Sequence, residues 1–262
     1  MKQRVITAVV ALIIFIPIII IGGTWIDVAA LVLGIIGISE ILVMKKKLLV
    51  SPESILSFLG VSVLIIPDAW MNLLPSYIDR MFLFYVFVIL LLLLTVFSKN
   101  MFTFDDVGVI TLGMLYVGSG FHYFLMAREL SLTTLLYALF IVWITDSGAY
   151  MFGRTFGKHK LAPHISPNKT WEGSVLGSLA AVIICSIFLI LYPINSMGLL
   201  TIVIVSALLS IAGQFGDLIE SALKRYYDVK DSGKILPGHG GILDRFDSLL
   251  LVLPIMHLVG II

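Results

Sequence analysis

Between Asp217 and Asp247 the chain spaces ionisable residues in a way that suits phosphate chemistry. The stretch "SIAGQFGDLIESALKR" sets Asp217 and Glu220 ahead of Lys224 and Arg225, and "GGILDRFDSLLLVLP" opens with Asp244 and Asp247. Asp244 and Asp247 are three residues apart, so on a helix they share a face. Two helices joined by a Gly- and Pro-rich loop can bring Asp217 close to that pair. Carboxylates gathered at the edge of a low-dielectric phase repel, and each is costly to leave charged without a neutralising partner. Hard oxygen donors with room for water and phosphate oxygens suit magnesium, which makes Asp217, Asp244 and Asp247 the candidate metal ligands. The alternative is an interfacial salt-bridge network with Lys224, Arg225 and Arg245. If the helix continues past Asp217, Lys224 and Arg225 fall about two turns beyond it, within reach of phosphate oxygens.

The intervening "DSGKILPGHGGILD" holds Gly233, Gly238, Gly240 and Gly241. Glycines let backbone approach a ligand closely, and a helix starting near Gly241 would offer unpaired N–H groups to a phosphate. The plainer reading is a tight turn around Pro237. His239 is a candidate acid or phosphate ligand, or a residue that orients its own backbone. Asp146 sits within an apolar run, where an acid is a functional candidate by default; a bond to Ser147 or Tyr150 is the structural alternative. In "SPNKTWEGS", Ser166 to Ser174, Lys169 is a candidate substrate contact and Trp171 a candidate stacking residue. Equally, Ser166-Pro167 would cap a helix and Trp171 would be an interfacial aromatic. Glu172 has no fixed role.

The elements that must position these residues are set by composition. The 262 residues are 60% hydrophobic and 13% charged, with mean hydropathy +1.10, against roughly 25% charged in soluble domains. This predicts an integral membrane protein. Apolar runs lie at 5–22, 25–43, 54–67, 81–97, 105–125, 132–152, 173–193, 198–217 and 243–262. They lack the period-two alternation of a barrel, so the expectation is an all-α membrane fold of about nine transmembrane helices. The short third run, ending at Pro67, is a candidate re-entrant segment. The first run, after Lys2 and Arg4, is read as a retained helix rather than a signal peptide.

With the N-terminus inside, 15 of the 17 Lys and Arg fall on the cytoplasmic side and only Arg80 and Arg128 outside, as the positive-inside rule demands. The charged loops 153–172 and 218–242 then share the cytoplasmic face of a cell membrane. The chain reads as one continuous membrane domain, with N-terminal helices over 1–130 and C-terminal helices and loops over 131–262. Lys45 to Lys47 read as a topology signal that touches anionic lipid headgroups. Cys185, alone in an apolar helix, excludes an intramolecular disulfide and a thiolate metal site. No unbalanced basic stripe points to nucleic acid, and His122 and His257 lie far from the charged loops.

The run Ser221 to Asp247, "SALKRYYDVKDSGKILPGHGGILDRFD", resembles the signature segment of the phosphatidate cytidylyltransferase (CDP-diacylglycerol synthase) family. The resemblance rests on Ser221, Lys224, Arg225, Lys230, Asp231, Gly233, Pro237, His239, Gly240, Gly241, Asp244, Arg245 and Asp247. It extends to "WITDSGAYMFGRTFGKHK", "SPNKTWEG" and "GQFGDLIES"; the N-terminal half is similar only in being apolar helices.

The resemblance implies a nucleotidyltransferase of phospholipid synthesis. It would move the cytidylyl group of CTP to phosphatidic acid and yield CDP-diacylglycerol and pyrophosphate. Asp217, Lys224, Arg225, Asp231, His239, Asp244, Arg245 and Asp247 would be catalytic, and Lys169, Ser221, Lys230, Gly240, Gly241 and Asp146 would bind substrate. Magnesium, a second cation such as K+, membrane lipid and a homodimer complete the expectation. A transporter would carry polar or broken-helix sites near the midplane and repeat symmetry, neither of which is evident. The Asp-Gly-x-x-Ala-Arg start of a CDP-alcohol phosphotransferase is absent from the sequence.

Overall fold

The computed structural model describes residues 2–194 and 197–262. The side chains of Lys2 and Arg4, counted above with the cytoplasmic charges, lie outside the described residues. Helices follow the apolar runs: α1 (Lys2–Ile21), α2 (Thr24–Met44), α3 (Pro52–Ile65), α4 (Asp68–Met71), α5 (Arg80–Phe97), α6 (Phe104–Leu130) and α7 (Leu132–Phe156). Strands β1 (Lys160–Ala162) and β2 (Ser166–Thr170) come next, then α8 (Trp171–Leu191), α9 (Leu199–Tyr226), α10 (Leu243–Phe246) and α11 (Leu249–Leu258). Among the described residues, α2, α5, α6, α7, α8 and α9 are long and apolar enough to cross a bilayer, whereas Val9–Ile21, α3 and α11 are shorter apolar helices. The protein is an α-helical membrane protein.

Local chemistry sets the element ends. Asp79 accepts from Phe82 N–H at 2.7 Å, Ser131 from Thr134 N–H at 3.0 Å and Thr170 from Gly173 N–H at 3.2 Å. Each satisfies a donor that its helix leaves open. The cap of α8 is therefore Thr170. Ser166-Pro167, the helix cap in one of the two readings of this loop, opens β2, which pairs antiparallel with β1. No alternating pattern announced this hairpin in the 153–172 loop.

Two compact units divide the chain: Met1–Leu125 with Asp231–Asp244, and Met126–Lys230 with Arg245–Ile262. The segment Asp231–Asp244 belongs with the first unit because it bonds to α2. In the first unit, α3 packs on α2 and α5. Lys45 and Lys47 each meet Asp106 at 2.7 Å, so two of the three lysines read as lipid contacts pin the end of α2 to the start of α6.

In the second unit the dominant contact is α7 on α8. A Cβ on Gly148 would lie 2.9 Å from Gly177 Cα, and one on Gly177 would lie 2.6 Å from Ala149 N. Small residues thus let the two backbones approach within membrane, where close packing rather than the hydrophobic effect joins helices. A hydroxyl and amide network ties α9 to this pair. Thr145 bonds Ser210 at 2.8 Å, Ser210 donates to Ser178 at 2.9 Å, and Gln214 Nε2 donates to Ser178 at 2.7 Å.

Candidate active site

The second unit holds a carboxylate cluster. Asp146 lies on α7, roughly three turns before its end, and Asp217 on α9. Helix α9 runs on to Tyr226, nine residues past the edge of its apolar run, so Asp217, Ser221 and Lys224 stack on successive turns of one helix. Lys169, at the end of β2, puts Nζ 2.5 Å from Asp217 Oδ2, and Ser221 Oγ donates to Asp217 Oδ1 at 3.2 Å. Gly216 brings the third carboxylate alongside, because a Cβ there would lie 2.6 Å from the Asp247 carbonyl oxygen.

The single helix expected from 243 onward is broken at that point. Asp247 sits in the turn between α10 and α11, outside both helices, and its Oδ1 accepts from Ser248 N–H at 2.7 Å. Withdrawal from water, then the charges of Asp217 and Asp146, push the Asp247 carboxyl up to about 7. Asp146, Asp217 and Asp247 thus feel one another's charge, which makes each costlier to leave ionised.

The basic residues around the cluster are largely engaged. Lys224 pairs with the fully buried Glu220 one turn back. Arg225 donates to the carbonyls of Ile165 at 3.3 Å and Val229 at 3.0 Å, which anchors the β-hairpin turn and the end of α9. Glu172, left without a role by sequence, accepts from Lys158 N–H at 3.1 Å and contacts His159 Nδ1 at 2.6 Å, so it holds the entry to the hairpin. Lys230 and Arg245 are exposed.

Asp231, His239, Gly240, Gly241 and Asp244 belong to the first unit. His239 N–H closes a turn on Leu236 C=O at 2.8 Å, with Pro237 and Gly238 at its corners. The φ of 79° at Gly238 meets the type II requirement for a positive angle there. The tight-turn reading therefore holds for Pro237-Gly238.

Asp244 Oδ2 accepts from Ser232 N–H at 2.8 Å, Ser232 Oγ at 3.0 Å and Gly241 N–H at 2.7 Å. The N–H groups of Ile242 and Leu243 go to Glu40 on α2, at 2.7 Å and 2.9 Å. The backbone donors that the sequence offered to a phosphate at this helix start are thus bound by the protein's own carboxylates. Four-residue α10 is also too short to carry the dipole of a long helix. Glu40 escaped the sequence reading, although an acid within the apolar run 25–43 was a signal for it. Among the described residues, no group of three His, Cys, Asp or Glu side chains forms a ready metal cage.

An α-helical membrane fold with acidic and basic side chains gathered at its helix ends defines a class of multi-span membrane proteins. Comparison narrows it: the profile of the Cytidylyltransferase family matches residues 2–262, and the chain belongs to that family. Among its relatives, the phosphatidate cytidylyltransferase of Bacillus subtilis is 45% identical over 262 residues, 98% of this chain and 96% of the relative. The proteins of the same name from Staphylococcus haemolyticus and Staphylococcus saprophyticus are 44% and 43% identical over 264 residues, covering 99% of this chain and 98% of each relative.

Proposed function

We propose that this chain joins CTP to phosphatidic acid, giving CDP-diacylglycerol and pyrophosphate, at the cytoplasmic face of a cell membrane. The observation that carries the reading is the family match over residues 2–262, with relatives of that named activity aligned along nearly their whole length. The Asp146, Asp217, Lys169 and Asp247 cluster supports its location.

A phosphate monoester oxygen of the lipid attacks the α-phosphorus of CTP, the bond to the β-phosphate oxygen breaks, and pyrophosphate leaves with the bonding pair. The nucleophile is ionised near neutral pH because the second pKa of a phosphate monoester is about 6, so no strong base is required. The obstacle is electrostatic. Lys169, Lys224, Lys230, Arg225 and Arg245 bind and orient the triphosphate and the lipid phosphate, which brings two anions together and steadies the leaving group. Ser221 and the loop at Gly240 and Gly241 would line the substrate site, and Asp231 and His239 would complete the catalytic set.

Asp217, Asp244 and Asp247 would hold magnesium, with Asp146 as a further or outer ligand. Asp244 would share its carboxylate with the three donors already on it. Magnesium, when bound, supplies positive charge against the charge that develops on pyrophosphate. The lipid enters sideways from the inner leaflet and CTP from water, and the N-terminus faces the cytoplasm, in keeping with the basic-residue bias. A second cation such as K+ and a homodimer belong to the same reading by family resemblance.

The test uses purified protein in detergent with phosphatidic acid and CTP. CDP-diacylglycerol and pyrophosphate are followed with magnesium present or chelated, in wild type and in Asp244→Asn. Magnesium-dependent product that falls by orders of magnitude in a folded variant bears the proposal out. No product from folded wild-type protein across several lipids and nucleotides overturns it and returns the charged segment to an ion-pair or lipid-binding role.

A further inference from the structure

We infer that Glu40 is a positioning residue, which holds the segment Asp231–Asp244 in its working shape from inside α2; the inference rests on the reaction proposed above. Glu40 is 5% exposed, in a stretch of helix that is apolar around it apart from Ser39. A carboxylate there is expensive unless donors surround it, and its donors among the described residues come from the distant segment. Oε1 accepts from Ile242 N–H at 2.7 Å, and Oε2 accepts from Leu243 N–H at 2.9 Å and Ser232 Oγ at 2.8 Å. A Cβ on Gly233 would lie 2.6 Å from Oε1, so the loop backbone wraps the carboxylate closely.

Ser232, 2% exposed, is the joint of this arrangement. Its hydroxyl lies 2.8 Å from Glu40 Oε2 and 3.0 Å from Asp244 Oδ2, so one proton serves two carboxylates. Glu40 and Asp244 therefore grip the same strand of chain from two sides. Asp244, Gly240 and Gly241, all assigned to the proposed reaction, take their places from it. The chemistry requires a carboxylate. Glutamine in the same position has one acceptor oxygen, and its NH2 would face an N–H donor on one side, which leaves that buried donor unsatisfied.

The test compares wild type, Glu40→Gln and Glu40→Asp in full-length purified protein, by amide hydrogen exchange, thermal midpoint and steady-state kinetics with CTP and phosphatidic acid. Glu40→Gln should speed exchange at Ser232 and Gly241 to Leu243 about tenfold, with exchange in α7, α8 and α9 unchanged. It should lower kcat about tenfold or more with KM for CTP changed less than threefold, and Glu40→Asp should recover part of both effects. Unchanged exchange in the segment overturns the inference, as does accelerated exchange spread evenly over the whole chain. The exchange measurement needs no substrate, so a wild-type protein that made no CDP-diacylglycerol would sink the proposed reaction and leave the effect of Glu40 on the loop still measured.

Discussion

Lys169 Nζ and Asp217 Oδ2 meet at 2.5 Å, the end of a short β-strand touching the middle of a long helix. The ion pair neutralises Asp217 with a residue that can also answer a phosphate. Under the proposed reaction, an arriving triphosphate would give the lysine a second anion to serve, and Asp217 would be freed for a cation. Lys169→Met should lower kcat by about 100-fold. It should also lower the magnesium concentration for half-maximal rate, because the ammonium no longer competes for Asp217. Initial rates across a magnesium series check both, and a raised magnesium requirement would contradict the competition.

Asp244 and Asp247 are three residues apart in the chain, yet their oxygens have different company. Both Asp244→Asn and Asp247→Asn should cut turnover by about 100-fold or more. Only Asp244→Asn should also speed amide exchange at Ser232 and Gly241, whose N–H groups its Oδ2 accepts. Exchange mass spectrometry on the two variants separates the effects.

A pH dependence follows from Asp247, whose carboxyl is pushed from its ordinary 3.8 up to about 7. The folded chain then holds this proton more tightly than the unfolded chain does. The associated stability is fully present below about pH 4 and is lost as pH rises through 7. In chelator-containing buffer, the wild-type thermal midpoint should fall relative to that of Asp247→Asn as pH rises from 4 to 7. Magnesium added above pH 7 should raise the wild-type midpoint and leave the variant nearly unmoved.

The seam between α7 and α8 makes a prediction about stability alone. Gly177→Ala would force a Cβ to 2.6 Å from Ala149 N and 2.8 Å from Thr145 O, both backbone atoms that cannot swing aside. The cost should be about 1–3 kcal/mol or more, read as a lowered thermal midpoint. Gly108→Ala, where no atom beyond the neighbouring residues and the helix's own backbone lies within 4 Å of the added carbon, should not lower the midpoint.

Hydropathy made the helices legible, because a run of about 20 apolar residues can satisfy its backbone in a bilayer only as helix. The polar ends of those helices were less legible. The apolar run ends at Asp217, but α9 goes on to Tyr226, since charged residues outside the hydrocarbon do not interrupt backbone hydrogen bonding. The break at Asp247 and Ser248 depends on how α9 packs at Gly216, which no local pattern reports. Candidate ligands such as Asp244 and Lys169 were visible from residue type and spacing. Their partners were not, because Glu40 lies 202 residues from Ile242 and no periodicity reaches that far.

That separation has a consequence for how the chain is made. Synthesis at about 5–20 residues per second delivers Glu40 roughly 10–40 s before Ile242 and Leu243 leave the ribosome. During that interval α2 must stand with an acid that has none of its final donors. Insertion of this helix and completion of the molecule are therefore separate events in time, and a nascent chain halted before Ser232 carries this acid without the donors that later surround it.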